Sequence, residues 1–431
     1  MSYRRIFRKR TQERGQTIAL VALAIVTLLA MAALAIDVVT LYVAKGEVQR
    51  AADAAALVAA KAFVDSGVTS DPANASLQTL AENMANAGIT GILPQNKVAG
   101  AAPVLVGTPS FCFSCPAYPY PGNPQVAVTL QRTGLPIFFA RIWKSAAPTV
   151  TASAKAEAYN PSNSQITTGN FIPITLKNIK PLLIANQDNL GNKFVIDTAT
   201  GAVAPRETNK DITLTPGCQP GGGNPNVLCI DTSIGMTLGP GKFWPAAVDS
   251  NVAPSLCPSC QGSSDFEQSI ECGRSQLKAT ASPYSCGGTA TNAYVDMTMT
   301  RGNVRNQGHN GLQCLRHYPS NDTIDPASSF PNGPIQIIAG SGPFSGGLVS
   351  TSQSIATFPI IDSGPAVTLS ASGDVKIIGY LQGFIESVTP GGSPLSLTVK
   401  ILNISGCGNS PSGTSVQAGG TSAIPVRLIS Q

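Results

Sequence analysis

The sequence predicts an α+β chain in which a long N-terminal transmembrane helix leads into a β-rich, disulfide-containing extracytoplasmic region. Three observations carry this expectation. Residues 18–36 form a run of 19 residues with no charge and with Thr27 as the only hydroxyl. Farther on, short β-branched and aromatic runs are bounded by Gly, Pro, Asn and Ser, in a chain with 42 Gly and 33 Pro among 431 residues. Ten cysteines, an even number, lie between Cys112 and Cys407. Only 12 % of residues are charged, against roughly 25 % in a typical soluble domain, while 43 % hydrophobic residues are enough to fill a core.

The apolar run comes first. At 1.5 Å per residue it spans about 28 Å, close to the hydrocarbon thickness of a bilayer. A cleaved signal peptide would have a shorter apolar core and a small-residue cleavage site, and a buried globular helix is seldom apolar on every face over five turns. An uncleaved anchor is the reading that fits. The formal net charge of +5 arises entirely before it, from Arg4, Arg5, Arg8, Lys9, Arg10 and Arg14 against Glu13. The remaining 22 basic and 22 acidic residues cancel, so no basic surface points to nucleic acid. Positive flanks stay on the cytoplasmic side, which puts the bulk of the chain outside, where disulfides persist.

Residues 37–65 contain no proline and should continue the membrane helix as a stalk, with Asp65, Ser66 and Gly67 as its stop. Between Ala51 and Ala62, eight of twelve residues are alanine, in rows such as Ala52, Ala56 and Ala60. Such rows admit a second helix at close range, or they merely stiffen a stalk. Asp37 lies at the outer end of the span, either marking the interface or pairing with a partner helix during assembly.

Gly15, the apolar span, Asp37, Tyr42 and then Gln49, Arg50, Ala51, Ala52, Asp53, Ala54, Ala55, Ala56 and Leu57 resemble the N-terminal region of TadE/TadG-like Flp (tight adherence) pilus-assembly proteins. Residues 124–158 are similar, more loosely, to the strand, amphipathic turn and Ala-alternating strand of that family. The resemblance implies a non-catalytic, membrane-anchored component of the bacterial inner membrane, with other Tad/Flp assembly proteins or pilins as partners and no cofactor. It also implies an assembly role for Tyr42, Gln49 and Asp53, and self-association through the N-terminal helix is a further expectation. Two departures stand out. Leu20, not Glu, lies five residues after Gly15, away from the prepilin-type processing pattern. Asp231, Thr232, Ser233, Ile234 and Gly235 lack the final serine of the metal-binding turn found in some relatives.

The domain organisation follows from these shifts: a basic cytoplasmic tail (1–16), the transmembrane and stalk helix (17–65), a small α+β module (66–160) and a β-rich domain (161–431). A second helix is expected over residues 74–87 with Gly88 as its cap. Strands are expected near residues 104–106, 126–130, 149–158, 172–176, 194–196, 335–339, 375–381 and 395–401, with a last one over 423–429. Alternation is poor over 375–385, which predicts that both faces of that strand are covered.

In an oxidising compartment Cys112, Cys115, Cys218, Cys229, Cys257, Cys260, Cys272, Cys286, Cys314 and Cys407 are disulfide candidates, with connectivity open. The rival is zinc, because Cys257-x-x-Cys260 and Cys314-x-x-His317 have ligand spacing, although 53 residues separate them. His309 and His317 are the only histidines and are expected in irregular loops without a nucleophile motif. No phosphate-binding Gly-rich loop occurs, so motor chemistry is excluded. A non-catalytic part in pilus assembly or envelope attachment is therefore expected, through helix packing in the membrane and protein contacts outside it. The alternative is an anchored surface adhesin or carbohydrate-binding module.

Overall fold

The computed structural model describes residues 11–429 apart from 116–122, 137–146, 161–169, 172–173, 177–178, 188–193, 199–200, 205–209, 221–222, 250–261, 263, 273–284, 287–291, 318–319, 327–334, 350, 364–368, 370, 392, 408–409, 412–415 and 419–421. Helix α1 (Thr11–Asp65) runs unbroken for 55 residues, about 80 Å. It stops where expected. Ser66 N still bonds Ala62 O at 2.9 Å, and Gly67 then takes a left-handed φ of 77° that turns the chain.

Helix α2 (Ala75–Ile92) starts at Asn74, whose side chain accepts from the Ser76 and Leu77 amides. It runs five residues past the expected end. Gly88 does not cap it but sits against α1, where a Cβ built on Gly88 would lie 2.6 Å from Val58 Cγ1. The glycine is there for helix contact, so its appearance as a stop signal misleads.

Across α1 lies a sheet whose longest members are β3 (Gln125–Arg132) and β4 (Val150–Ala158), antiparallel from Gln125↔Glu157 to Arg132↔Val150. The short strands β1 (Val104–Leu105) and β2 (Ser110–Cys112) both pair with β3. On the other edge β4 pairs with the strand Val426–Ile429, about 270 residues later in the chain. The small module therefore takes a strand from beyond residue 160 and is not one continuous segment. Alternate alanines of β4 (Ala152, Ala154, Ala156) face the alanines of α1, because only side chains this small let helix and sheet come together.

The larger module is built on a closed ring of six strands. Asp374–Val388 pairs on one side with Ile355–Ile361 and on the other with Leu397–Gly406; Leu182–Ala185, Lys242–Pro245 and Asp211–Pro216 complete the circuit. Asp374–Val388 is buried along almost its whole length, as its lack of alternation predicts. Trp244, Phe243, Phe358 and Tyr380 fill the core of this module. Residues 194–196 form no strand, only an isolated bridge between Ile196 and Val203.

Two helices cover this module that the sequence reading lacks. Helix α3 (Asp265–Cys272) packs on α4 (Arg301–Leu315), which Thr300 caps by accepting from Asn303 N. His309 thus lies on a helix rather than in a loop. Glycines hid α4: Gly308 lets Leu395 in close and Gly311 does the same for Ile270, where a Cβ would meet those side chains at 2.8 and 2.9 Å.

A buried polar knot joins the two modules. Asn403, in the ring, donates to Val64 O at 2.7 Å and accepts from Thr69 Oγ1 at 3.1 Å. Asn160 donates to Thr69 O at 2.7 Å, and Ser70 Oγ donates to Ile404 O at 3.3 Å. Every partner on the α1 side lies within seven residues of the turn, so the end of the stalk is fixed to the ring.

Candidate functional site

The membrane-facing part of the molecule is the first half of α1. From Ile18 to Val43 its large apolar side chains other than Leu41 are exposed, Tyr42 to 83 %. That stretch is 26 residues, about 39 Å, more than the roughly 30 Å of a hydrocarbon core. Asp37 is different. Only 2 % exposed, it already has an interaction partner within the chain.

Directly above Val43 the helix enters the folded module. Lys45 Nζ donates to Thr151 O, and Glu47 accepts the Ala99 amide at 2.8 Å. Gln49 donates both to Asp53 Oδ1 at 2.9 Å and to Ser153 O on β4 at 3.1 Å. Gln49 and Asp53 thus clamp the helix to its own sheet. Ala52, Ala56 and Ala60 are fully buried among α2, β3 and β4. The close approach that the alanine rows permit is made within the chain, and a second helix would reach them only by displacing that sheet or α2.

Residues 15–62 match the family model Tad, described as Putative Flp pilus-assembly TadE/G-like. The stretch is similar to a TadE/G-like module. It covers the lower stalk and the alanine face together, and it supports a pilus-assembly role for a membrane-anchored chain. No curated protein and no solved structure matches the chain.

Beyond that stretch, seven cysteines among the described residues are oxidised. Cys112 bonds Cys115 and Cys218 bonds Cys229, while Cys272, Cys314 and Cys407 are also disulfide-bonded. Cys314 therefore has no thiolate for a metal. Cys257 and Cys260 lie outside the described residues, and Cys286 lies on the short strand Ser285–Cys286. His317 approaches Asp322 Oδ1 through Nδ1 (3.4 Å) and Gln353 Oε1 through Nε2 (2.6 Å). Asp231 caps a short turn, accepting from the Ser233 hydroxyl and amide, and these bonds hold its carboxyl below the usual range. Among the described residues no group of three His, Cys, Asp or Glu side chains converges as a metal site.

One polar cluster escaped the sequence reading. Lys180 and Glu271 line a cleft of about 440 Å³ with His317, Asp322 and Gln353. Burial lowers the Lys180 amine to about 7 against the opposing pull of Glu271, and burial also raises the Glu271 carboxyl. A single Lys leading into the apolar run Leu182–Ala185 was the signal available in the sequence.

Proposed function

We propose that this chain is a non-catalytic component of Flp/Tad-type pilus assembly, held in the bacterial inner membrane with a cytoplasmic N-terminus and its bulk in the periplasm. The observation that carries the reading is the TadE/G-like match over residues 15–62, whose apolar portion stays exposed along the folded chain. The basic tail before the span supports the orientation, and the disulfides support the oxidising side.

Mechanistically, the two halves of α1 divide the work. Ile18–Val43 meets lipid and the membrane helices of other assembly proteins, with Tyr42 the most exposed large side chain of that surface. The alanine half fastens the helix to α2 and the sheet, so that force on the outer region is transmitted through a packed joint rather than a hinge. Partners outside the membrane are other assembly components or pilins, met by the ring module.

Deleting the gene should remove surface pili and leave pilin in the cell, and the full chain supplied in trans should restore filaments. Normal piliation without the chain would overturn the assembly role. Orientation has its own measurement: a membrane-impermeant protease should degrade residues beyond 66 in spheroplasts and leave the tail intact.

A further inference from the structure

Lys180 is set just before the strand Leu182–Ala185, with its own amide bonded to Thr357 O at 2.9 Å. Its residue is 4 % exposed. Among the described residues its amine has no hydrogen-bond partner, although it lines the cleft between the ends of α3 and α4 and the small sheet Thr323–Ile324, Ile337–Ile338 and Leu348–Val349. Burying an amine without an acceptor is costly, and a ligand oxygen would remove that cost.

Asp322, His317 and Gln353 of the cleft are committed to one another and to neighbouring groups. Asp322 accepts from Gly340 N at 2.9 Å and from Ser352 Oγ at 2.6 Å, besides facing His317, and His317 is held in turn by Gln353. Glu271 Oε2 accepts the Gly262 amide at 3.0 Å, leaving its second oxygen without a hydrogen bond among the described residues. On the apolar side stand Leu315, Phe344, Val349 and Ile355, and Phe344 is 69 % exposed.

We infer that this cleft binds a small organic carboxylate, held between the Lys180 ammonium and the Glu271 carboxyl, with the rest of the ligand against Phe344 and Val349. The site is separate from the assembly role. Lys180 shares the cleft with Glu271 from α3, His317 after α4 and Asp322 ahead of the small sheet, and Glu267 acts on Glu271 from the same helix. A bound carboxylate stabilises the Lys180 ammonium, which burial disfavours in the unliganded protein, and adds to the push that burial already gives Glu271 toward its protonated form, so binding takes up protons. Two sources offer the same chemistry: an acidic sugar, whose hydroxyls would meet Ser341 and Thr351, and an acylated apolar amino acid, whose side chain would lie on Phe344.

The test is calorimetric titration of the full chain in detergent with glucuronate and with N-acetylleucine, against glucose and N-acetylleucinamide as neutral counterparts. One acid should bind at least about tenfold more tightly than its counterpart, take up protons on binding, and lose at least about tenfold in affinity from pH 8 to pH 9, as the ammonium and the protonated Glu271 both become scarcer. Whichever acid does so identifies the source. Lys180→Met should abolish binding, whereas Glu271→Gln, which keeps a donor, should retain it within a few-fold. Should Lys180→Met fail to fold, the wild-type chain still decides, because bound acid must protect Lys180 from acetylation read by mass spectrometry. Acids that bind no better than their counterparts, or that leave Lys180 acetylation unchanged, overturn the assignment.

Discussion

Arg427 donates through Nε to the fully buried Glu157 at 2.7 Å, and its guanidinium lies 4.8 Å over the Tyr159 ring. This pair fastens the strand Val426–Ile429 to β4. Replacing Arg427 by Ala leaves the Glu157 carboxylate buried without its counter-charge, and the full chain should lose about 3 kcal/mol or more in urea unfolding. The double change Arg427→Met with Glu157→Leu should recover most of that loss. A single variant as stable as the wild type would refute the claim that this ion pair holds the small module closed.

Gly88 and Gly91 lie on the same helix in opposite surroundings. Gly88→Ala drives a methyl into Val58 and should cost about 1–3 kcal/mol by overpacking. Gly91→Ala meets nothing within 4 Å and should stabilise the chain by up to about 1 kcal/mol through helix propensity. Paired melting curves of the two variants check the contrast.

Ala56→Leu forces three extra carbons into a fully buried position between α1 and its sheet. Proteolysis of the chain expressed alone, without any pilus protein, should then accelerate strongly. Had the alanine rows served a partner in trans, the isolated chain would be indifferent to the change.

Asn403→Leu removes the donor to Val64 O and the acceptor for Thr69 at once. It should cost about 1–3 kcal/mol, since buried backbone and hydroxyl groups are left unmatched. Protease cuts at residues 66–70 should appear first, because that turn loses its hold on the ring.

Lys180 makes stability depend on pH. Its amine is lowered from 10.5 to about 7 by burial, so the unfolded chain binds the proton more tightly. The penalty is fully present below about pH 7 and fades as pH rises toward 10.5, up to about 5 kcal/mol in all. Wild type should therefore gain on Lys180→Met between pH 7 and pH 10. A stability difference that stays flat over that range would contradict the buried, unpartnered amine.

Much of the architecture was legible where one physical signal dominated. The length and uniform apolarity of residues 18–36, the absence of proline to Asp65 and the turn at Gly67 determine α1 with little help from the rest of the fold. The even burial of Asp374–Val388 was likewise written in its missing alternation. What eluded the sequence depends on contacts made at a distance. Gly88 read as a helix cap, and Gly308 and Gly311 weaken the helical pattern over α4, because nothing local tells that Val58, Leu395 and Ile270 approach them. Ala52, Ala56 and Ala60 left a packing face and a stiff stalk equally open, and nothing local tells that β4 of the same chain lies against them. Arg427 and Glu157 are 270 positions apart, and Lys180 meets Glu271 only after the ring has formed.

The crossing of Val426–Ile429 back to β4 also imposes an order of events on synthesis. The helix that anchors the protein emerges from the ribosome first, yet the sheet resting on it waits for a strand that is made only after the entire ring module. Until then β4 presents a bare edge to its surroundings, so the sheet resting on the helix is the last to mature, and a chain halted anywhere in between would remain an anchored but unfinished molecule.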